Sequence, residues 1–486
     1  MAAQADIAVI GLAVMGQNLI LNLNDHGFTV CAFNRTVSKV DDFLSNEARG
    51  TKVFGAHSLQ EMASLLKLPR RVMLMVKAGN PVDDFIDKLV PLLQAGDIII
   101  DGGNSDFHDT RRRYFALKEK AIHYVGCGVS GGEEGARYGP SLMPGGAVEA
   151  WPHIGPIFQA VAAKVDGEPC CQWVGSDGAG HYVKMVHNGI EYGDMQLISE
   201  AYHFLRDALN VSHDEMVNIF DKWNKTELNS YLIELTAKVL RLKDTDGQQL
   251  VSKILDRAGQ KGTGKWAGTS ALELGVPLSL IVEAVFARCL SSMKEMRVQA
   301  SALLPKEGVR SMQTAKGEAT AYTEHLRKAL YASKIISYTQ GFMMLQAAAE
   351  KYAWDLNYGS IALMWRGGCI IRSVFLHRIK EAFDRTPNIA SLLFDEFFRS
   401  AVNECQNSWR TVVSAAVLAG LPMPAFSSAL AFFDGFRCPN LPANLLQALR
   451  DAFGAHTYER NDNVGVYVHT DWTGQGGRTA SSYYEV

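Results

Sequence analysis

Short apolar runs alternate with amphipathic stretches over the first part of the chain. The runs predict strands at residues 7–10, 29–33, 71–76, 97–101 and 122–125, each followed by a loop that carries glycine or asparagine. Strands that alternate with helices form a mostly parallel sheet with helices on its faces. We therefore expect an α/β domain at residues 1–179.

The loops at the carboxyl ends of these strands are the places where such a domain binds ligands. They lie at residues 11–16, 34–36, 77–79, 102–105 and 126–132. We expect the binding residues of the α/β domain in these loops.

From about Gly180 the periodicity changes to that of amphipathic helices. It predicts helices at residues 182–209, 230–242, 278–302, 323–352 and 361–383, within a large all-α domain at residues 180–440.

A faint repeat runs through the predicted helices. The long helix from Lys184 is followed by a shorter one that ends near Trp223, and the segment from Lys328 repeats this order with Trp365 in the place of Trp223. A duplicated helical array explains the repeat, and a chance resemblance between helices is the alternative.

The last residues, 441–486, differ again. Pro439 and Pro442 precede a final predicted helix that ends near Phe453, and a polar, glycine-rich tail follows. A tail that cannot build its own core is either disordered or packed on something else. Its aromatic residues favour packing on another subunit: Tyr467, Trp472, Tyr483 and Tyr484.

Composition narrows the class of partner. A net charge of −3 provides no overall cationic field for nucleic acid or an acidic membrane, and no apolar run approaches the roughly 20 residues that cross a bilayer. The eight cysteines form no C-x-x-C pair and have no accompanying histidine cluster. We therefore expect a cytoplasmic protein with free thiols and no metal site.

The loop after the first predicted strand has the pattern G-x-A-x-x-G, formed by Gly11, Ala13 and Gly16 at the start of a helix. Small residues at this spacing let a pyrophosphate approach the helix N-terminus, as in Rossmann-type dinucleotide-binding domains. An ordinary tight turn is the alternative. The position in the first β-α-β unit favours a dinucleotide.

The residues after the second predicted strand distinguish NAD from NADP. NAD-specific domains place Asp or Glu there to bind the ribose 2′-hydroxyl, whereas this chain has Asn34, Arg35 and Thr36. An arginine can bind a 2′-phosphate through two parallel hydrogen bonds. NADP is therefore favoured, and an ordinary surface arginine is the alternative.

Glycines are concentrated at residues 128–146, GVSGGEEGARYGPSLMPGG. Because glycine loses much conformational freedom on folding, so many after a strand favour a loop that wraps around a ligand. We explain two further unusual stretches in the same way, as parts of the site for this ligand: GQKGTGKW at 259–266 and RDAFGAHTY at 450–458.

Lys184, His187, Asn188 and Glu191 have the i, i+3, i+4 and i+7 spacing of one helix face. Apolar residues of the same segment form a different face, so the polar face is either solvated or lines a pocket. Lys184 and Glu191 are two turns, about 10 Å, apart along the axis. This separation suits two groups that act at opposite ends of one short substrate.

In their order along the chain, these motifs resemble those of 6-phosphogluconate dehydrogenases. The resemblance covers essentially the whole chain and rests on GLAVMGQNL, FNRT, VKAG, DGGNS, GVSGGEEGARYGPSLMPGG, KMVHNGIEYGDMQL, GQKGTGKW, EAVFARCLSS and FGAHTYE. It implies a metal-free oxidative decarboxylation, in which 6-phosphogluconate and NADP give ribulose 5-phosphate, carbon dioxide and NADPH. The expected setting is the oxidative pentose phosphate pathway and gluconate utilisation.

The resemblance also implies the chemical roles. Lys184 would be the general base on the C3 hydroxyl while hydride leaves C3, and its protonated form would stabilise the enolate after decarboxylation. Glu191 would be the acid that protonates C1 of the enediol. A lysine base must be neutral, and burial together with the cations Lys261 and Arg288 is expected to lower its pKa.

Binding contacts are implied in the same way. The substrate phosphate would be bound by Tyr192, Lys261, Thr263, Arg288 and Arg450, the carboxylate by Ser130, Gly131 and Gly132, and the hydroxyls by Asn104, His187 and Asn188, with His456 as a second C-terminal contact. For the cofactor, Gly11, Ala13 and Gly16 would bind the pyrophosphate, Asn34, Arg35 and Thr36 the 2′-phosphoribose, Val76, Lys77 and Ala78 the adenosine, and Asn104 the nicotinamide ribose.

In this family Arg450 and His456 reach the site from the partner subunit, which implies a homodimer with shared active sites. Two other functions remain as alternatives. A related β-hydroxyacid dehydrogenase that acts on an unphosphorylated acid would not need Lys261, Arg288 and Arg450. An NADP-binding sensor without turnover would not need Lys184 and Glu191.

Overall fold

The computed structural model describes residues 4–304, 316–474 and 476. The chain divides into two compact units, Met1–Ala429 and Leu430–Val486. The strands of the first unit are β1 (Ile7–Ile10), β2 (Val30–Phe33), β3 (Phe54–Gly55), β4 (Arg71–Leu74), β5 (Ile98–Asp101), β6 (His123–Ser130), β7 (Ser141–Gly146), β8 (Lys164–Val165) and β9 (Glu168–Pro169). The helices among them are α1 (Val14–Asp25), α2 (Ser38–Ser45), α3 (Leu59–Leu65), α4 (Asn80–Leu89), α5 (Phe107–Lys118), α6 (Gly132–Tyr138) and α7 (Trp151–Val161).

Seven strands form one sheet in the order β3-β2-β1-β4-β5-β6-β7, parallel except for β7, which is antiparallel to β6. Alternate side chains of β1 enter apolar layers on opposite faces. Ile7 and Val9 pack in the layer formed with α1 and α7, and Ala8 and Ile10 in the layer formed with α3 and α4. The predicted Rossmann-type α/β domain is confirmed.

The glycine-rich stretch at 128–146 corrects the prediction of a ligand-wrapping loop. It contains the end of β6, helix α6 and strand β7, so the predicted loop at 126–132 is also mostly strand. The physical reason is close packing of a helix on the sheet, because a Cβ on Gly145 would lie 2.5 Å from the backbone nitrogen of Gly180. Strands β3 and β7 are absent from the prediction, and β6 continues to Ser130, five residues beyond its predicted end at residue 125. The other predicted strand ends in the sheet agree within two residues.

The helical part of the first unit follows the sheet. Its helices are α8 (Ala179–His203), α9 (His213–Trp223), α10 (Tyr231–Arg241), α11 (Thr263–Glu273), α12 (Ser279–Ser292), α13 (Lys294–Leu303), α14 (Lys316–Tyr352), α15 (Tyr358–Met364), α16 (Leu376–Arg385), α17 (Glu396–Leu418) and α18 (Pro424–Phe436), which crosses the boundary between the units. Helix α8 contacts β6, β7, α11, α12 and α14, and it is buried along most of its length. The predicted all-α region is confirmed.

Two predicted helices are wrong as single elements. The segment 278–302 is divided at Met293, and the segment 361–383 is divided into α15 and α16 by a loop that contains Gly367 and Gly368. Gly368 has a φ of +62°, which a right-handed helix does not allow. The glycine pair therefore ends one helix before the next begins.

Both halves of the helical part run in the same order. Trp223 ends α9 in the first half, and Trp365 follows α15 in the second. Backbone hydrogen bonds also join the segments before α10 and α16, where Tyr231 N donates to Arg372 O at 3.1 Å. This order agrees with a duplicated array, which stays a prediction.

The second unit contains α19 (Ala443–Gly454) and an antiparallel hairpin of β10 (Tyr458–Arg460) and β11 (Asn463–Val468). The sequence analysis did not predict this hairpin in the tail. Asp451 is fully buried and accepts hydrogen bonds from Thr457 N, His469 Nδ1, Thr470 N and Trp472 Nε1 at 2.8–3.0 Å. These bonds lower the pKa of Asp451 to about 2 against the effect of burial. The predicted tail residues Gly477, Tyr483 and Tyr484 lie outside the described residues.

None of the helices in residues 4–304 and 316–474 combines the length and apolar character needed to cross a membrane.

Candidate active site

A cleft of about 640 Å³ lies where α8 passes the carboxyl ends of β1, β5 and β6. It is lined by Met15, Asn104, Val129, Ser130, Gly131, Gly132, Lys184, Asn188, Glu191, Tyr192, Met195, Gly259, Gln260, Lys261, Thr263, Arg288 and Ile370. The structure therefore brings together the predicted base and acid with most of the predicted substrate-binding residues, which come from distant parts of the chain.

The polar face of α8 forms one wall of this cleft. Lys184 is only 5% exposed, and His187 and Asn188 are also buried, so the face is not a solvated stripe. The stem of Lys184 lies against Gly128 of β6, where a Cβ would come within 2.4 Å of Lys184 Cβ. Gly128 therefore provides the space that the lysine side chain occupies.

Burial lowers the pKa of Lys184 from its usual range, while Glu191 and Cys369 act in the opposite direction. Lys261 and Arg288 were also expected to lower this pKa. Among the described residues, however, neither cation is one of the groups that shift it. Desolvation by the surrounding protein thus favours the neutral amine that a general base requires.

Glu191 has the opposite perturbation. Burial raises its pKa, with a smaller contribution from Asp194, while the nearby charges of Lys184 and Arg288 lower it. The protonated carboxyl is therefore favoured relative to a carboxyl in water. One helix face thus carries an amine and a carboxyl group whose pKa shifts both favour their neutral forms, the perturbation that is typical of groups in proton transfer.

His187 lies between these two groups and is fully buried. Its Nδ1 is 3.4 Å from Lys184 Nζ, 3.1 Å from Asn188 Oδ1 and 3.8 Å from Glu191 Oε2, and its Nε2 is 3.4 Å from Ser130 Oγ. Burial, and next the charge of Lys184, lower its pKa well below the usual value. The ring is therefore neutral at rest.

One end of the cleft is cationic. The guanidinium of Arg288 lies 3.6 Å from the centre of the Tyr192 ring and donates to Gly259 O at 2.9 Å. Lys261 lines the cleft beside it, and Thr263 begins α11, whose N-terminal N–H groups favour anions. This end can bind a phosphate group.

The G-x-A-x-x-G loop lies at the N-terminus of α1. Gly11 has a φ of +112°, and a Cβ on it would lie 2.4 Å from Met75 O, so glycine is required there. Ala13 is the N-cap of α1 and makes no side-chain cap, which leaves the first N–H groups of the helix without a side-chain acceptor. A pyrophosphate can occupy this position.

The residues after β2 divide into two roles. Asn34 Oδ1 accepts from Leu12 N at 3.2 Å, and its Nδ2 donates to Thr36 O at 3.1 Å, so this side chain joins the loops after β1 and β2. Arg35 and Thr36 are exposed beside it. Val76 and Ala78 are half-buried and Lys77 is exposed after β4. These residues fit a dinucleotide with a 2′-phosphate.

Asp101, the last residue of β5, was not singled out by the sequence analysis. It is fully buried and accepts from Ser105 Oγ at 2.6 Å, Gly103 N at 3.0 Å and Tyr124 OH at 3.1 Å. These bonds hold the loop that carries Asn104. The segment DGGNS contained the signal, since a carboxylate at the end of an apolar strand needs buried partners.

Several cleft residues were also missed: Met15, Val129, Met195, Gly259, Gln260 and Ile370. Gly259 and Gln260 belong to the unusual stretch GQKGTGKW, which could have indicated them. Ile370 had no such signal, because it lies in the loop that the periodicity assigned to a helix.

Arg450 and His456 belong to the second unit and are not among the cleft-lining residues. Arg450 donates to Gln447 Oε1 at 3.1 Å, and the His456 ring lies 5.8 Å from the Phe453 ring. Within residues 4–304, 316–474 and 476, no group of three or more His, Cys, Asp or Glu residues could hold a metal ion.

Family models match both parts of the chain. The sequence model "NAD binding domain of 6-phosphogluconate dehydrogenase" matches residues 6–175, and "6-phosphogluconate dehydrogenase, C-terminal domain" matches residues 180–472. The chain is 68% identical over 483 residues to "6-phosphogluconate dehydrogenase, decarboxylating" of Mus musculus, with 99% of each chain covered. It is 58% identical over 488 residues to the protein of the same name from Haemophilus influenzae, with 100% of each covered.

A solved structure of Plasmodium falciparum 6-phosphogluconate dehydrogenase, described as apo, with NADP+ and with 6-phosphogluconate, superposes with a TM-score of 0.92. That protein is 44% identical, and the superposition covers 96% of this chain and 100% of that one. The chain therefore belongs to the 6-phosphogluconate dehydrogenase family.

Proposed function

We infer that the chain catalyses the oxidative decarboxylation of 6-phosphogluconate to ribulose 5-phosphate and carbon dioxide with NADP, in the oxidative pentose phosphate pathway and gluconate utilisation. Relatives with this name match its whole length, and the similar solved protein is described with NADP+ and with 6-phosphogluconate. The observation that carries the proposal is the pair formed by buried Lys184 and half-buried Glu191 on one wall of a cleft with a cationic end.

In this mechanism the neutral Lys184 amine accepts the proton of the C3 hydroxyl as C3 is oxidised. NADP, when bound, supplies the hydride acceptor. Lys184 then returns the proton to the C3 oxygen as carbon dioxide leaves, which stabilises the developing enolate. In the last step Glu191 protonates C1 of the enediol while Lys184 removes the proton of the hydroxyl on the former C3, which becomes the carbonyl of the product.

The substrate lies along α8 with its phosphate at the cationic end, on Tyr192, Lys261, Thr263 and Arg288. Its carboxylate is on Ser130, Gly131 and Gly132, and its hydroxyls are near Asn104, His187 and Asn188. The pyrophosphate of bound NADP would be held by Gly11, Ala13 and Gly16, and its 2′-phosphoribose by Asn34, Arg35 and Thr36. The adenosine would be held by Val76, Lys77 and Ala78, and the nicotinamide ribose by Asn104. The cations Lys261 and Arg288 at one end of the cleft support this orientation.

A direct test measures NADPH absorbance with the purified protein, 6-phosphogluconate and NADP, together with release of carbon dioxide. We expect one NADPH and one carbon dioxide for each substrate consumed, and little turnover with gluconate, which lacks the phosphate. Equal rates with gluconate would favour the β-hydroxyacid dehydrogenase alternative. NADP binding without turnover would favour the sensor.

Arg35→Ala should weaken NADP binding about 10- to 100-fold while binding of NAD changes little, since only NADP carries the 2′-phosphate. Titration of both cofactors by fluorescence measures this difference. Arg49→Ala is the matched control, because Arg49 is another exposed arginine of the same domain. Equal losses for NADP and NAD would contradict the assignment of Arg35.

We also propose a homodimer in which residues 441–486 reach the partner's cleft, and Arg450 and His456 complete it from there. Residues 1–179 then bind NADP, and residues 180–440 bind substrate and form the dimer. We place the enzyme in the cytoplasm, which a fluorescent fusion would test.

Arg450→Ala should raise KM for 6-phosphogluconate at least about tenfold with a smaller change in kcat, because a phosphate contact is lost. In mixed dimers, Arg450→Ala chains combined with Lys184→Ala chains should regain one complete site and the wild-type KM. Arg437→Ala, which removes another arginine of the second unit, is the control. An unchanged KM, or no recovery in the mixture, would exclude the shared site.

A further inference from the structure

After the proposed reaction, the base and the acid are in the wrong protonation states for a second cycle. Lys184 begins as an amine and ends as an ammonium, because it accepts two protons and returns one. Glu191 begins as a carboxylic acid and ends as a carboxylate. The protein as a whole neither gains nor loses a proton, so transfer of one proton from Lys184 to Glu191 restores both groups.

The geometry of α8 provides a path for this transfer. Lys184 and Glu191 are about 10 Å apart along the helix axis, and His187 lies between them, three residues from one and four from the other. Its Nδ1 is 3.4 Å from Lys184 Nζ and 3.8 Å from Glu191 Oε2. Lys184 is only 5% exposed, which restricts direct proton exchange between its amino group and solvent.

We propose that His187 returns the proton from Lys184 to Glu191 after each turnover, an inference that rests on the proposed function. In the first step an N–H bond of the Lys184 ammonium breaks, and an N–H bond forms at Nδ1 of the neutral imidazole. In the second step that bond breaks, and an O–H bond forms on Glu191 Oε2. The amine, the neutral ring and the carboxylic acid are then restored without any other reactant.

The surroundings of the ring support a brief, charged intermediate. Nε2–H can donate to Ser130 Oγ at 3.4 Å throughout, which keeps Nδ1 directed towards Lys184 and Glu191. Asn188 Oδ1, 3.1 Å from Nδ1, can accept a hydrogen bond while the proton is on the ring. Because burial lowers the pKa of His187 well below its usual value, the ring does not retain the proton.

This role differs from a contact with a substrate hydroxyl. Loss of a substrate contact would raise KM and slow the first turnover as much as later ones. Loss of the proton return would leave the first turnover intact, because purified enzyme has equilibrated with buffer, and would slow only the following cycles.

The test compares the rate of the first turnover with the steady-state rate by stopped-flow detection of NADPH, in wild type and in His187→Gln. We expect the ratio of these rates to rise about tenfold or more in the variant, and added imidazole to restore the steady state. An unchanged ratio, or a raised ratio that imidazole does not lower, would overturn the proposal.

His181→Gln is the matched control, because His181 is another buried histidine of α8 whose Nδ1 is 2.7 Å from Thr110 Oγ1 rather than near the acid and base. In His181→Gln, the ratio of the first-turnover rate to the steady-state rate should equal that of wild type. His187→Asn provides a second variant in case glutamine prevents folding, which thermal unfolding would reveal. If wild type itself produces no NADPH, the proposed function fails; if only the ratio is unchanged, the proton return alone fails.

Discussion

Lys184→Ala should lower kcat at least about 10³-fold while NADP binding is retained. The substitution removes both the base for the C3 hydroxyl and the cation that stabilises the enolate, and no other amine lines the same wall of the cleft. The fold should survive, because burial disfavours the charged form of Lys184, and its removal therefore breaks no strong buried ion pair. Steady-state kinetics and NADP titration of the same preparation measure the two effects.

The control for this variant is Lys265→Ala, which removes an exposed lysine of α11. It should retain wild-type kcat and KM. A Lys184→Ala enzyme within tenfold of wild type would exclude Lys184 as the general base.

Gly128→Ala should lower kcat about 100-fold although residue 128 carries no reactive group. The new Cβ would lie 2.4 Å from Lys184 Cβ and 2.8 Å from its Cγ, so the base must move. A displacement of about 1 Å is enough for a loss of this size. Overpacking of this kind also costs about 1–3 kcal/mol of unfolding free energy.

The decisive measurement is the kinetic isotope effect with substrate deuterated at C3. We expect it to increase in Gly128→Ala, because a misplaced base makes the oxidation step limiting. Gly435→Ala is the control, since nothing lies within 4 Å of the added methyl group in α18; its activity should be unchanged. Wild-type kcat in Gly128→Ala would show that contact with β6 does not position the base.

The order of strands and helices could be predicted from the sequence because it depends on local periodicity. Alternating strands and helices predicted the α/β domain, and the 3.6-residue period predicted the helical part. Predictions failed where glycine served tertiary packing. At 128–146 glycines let α8 approach the sheet, and at Gly367 and Gly368 they divide a predicted helix. Single-sequence patterns do not contain the neighbours that make such glycines necessary.

The sequence by itself determined that Lys184, His187, Asn188 and Glu191 share a helix face, because their spacing matches the helical repeat. It left open whether that face is solvated. Only the tertiary structure decided this question, by packing α8 against β6, β7, α11, α12 and α14. The resulting burial lowers the pKa of Lys184 and raises that of Glu191. Desolvation depends on all surrounding atoms, which come from distant parts of the chain, and so no local pattern encodes it.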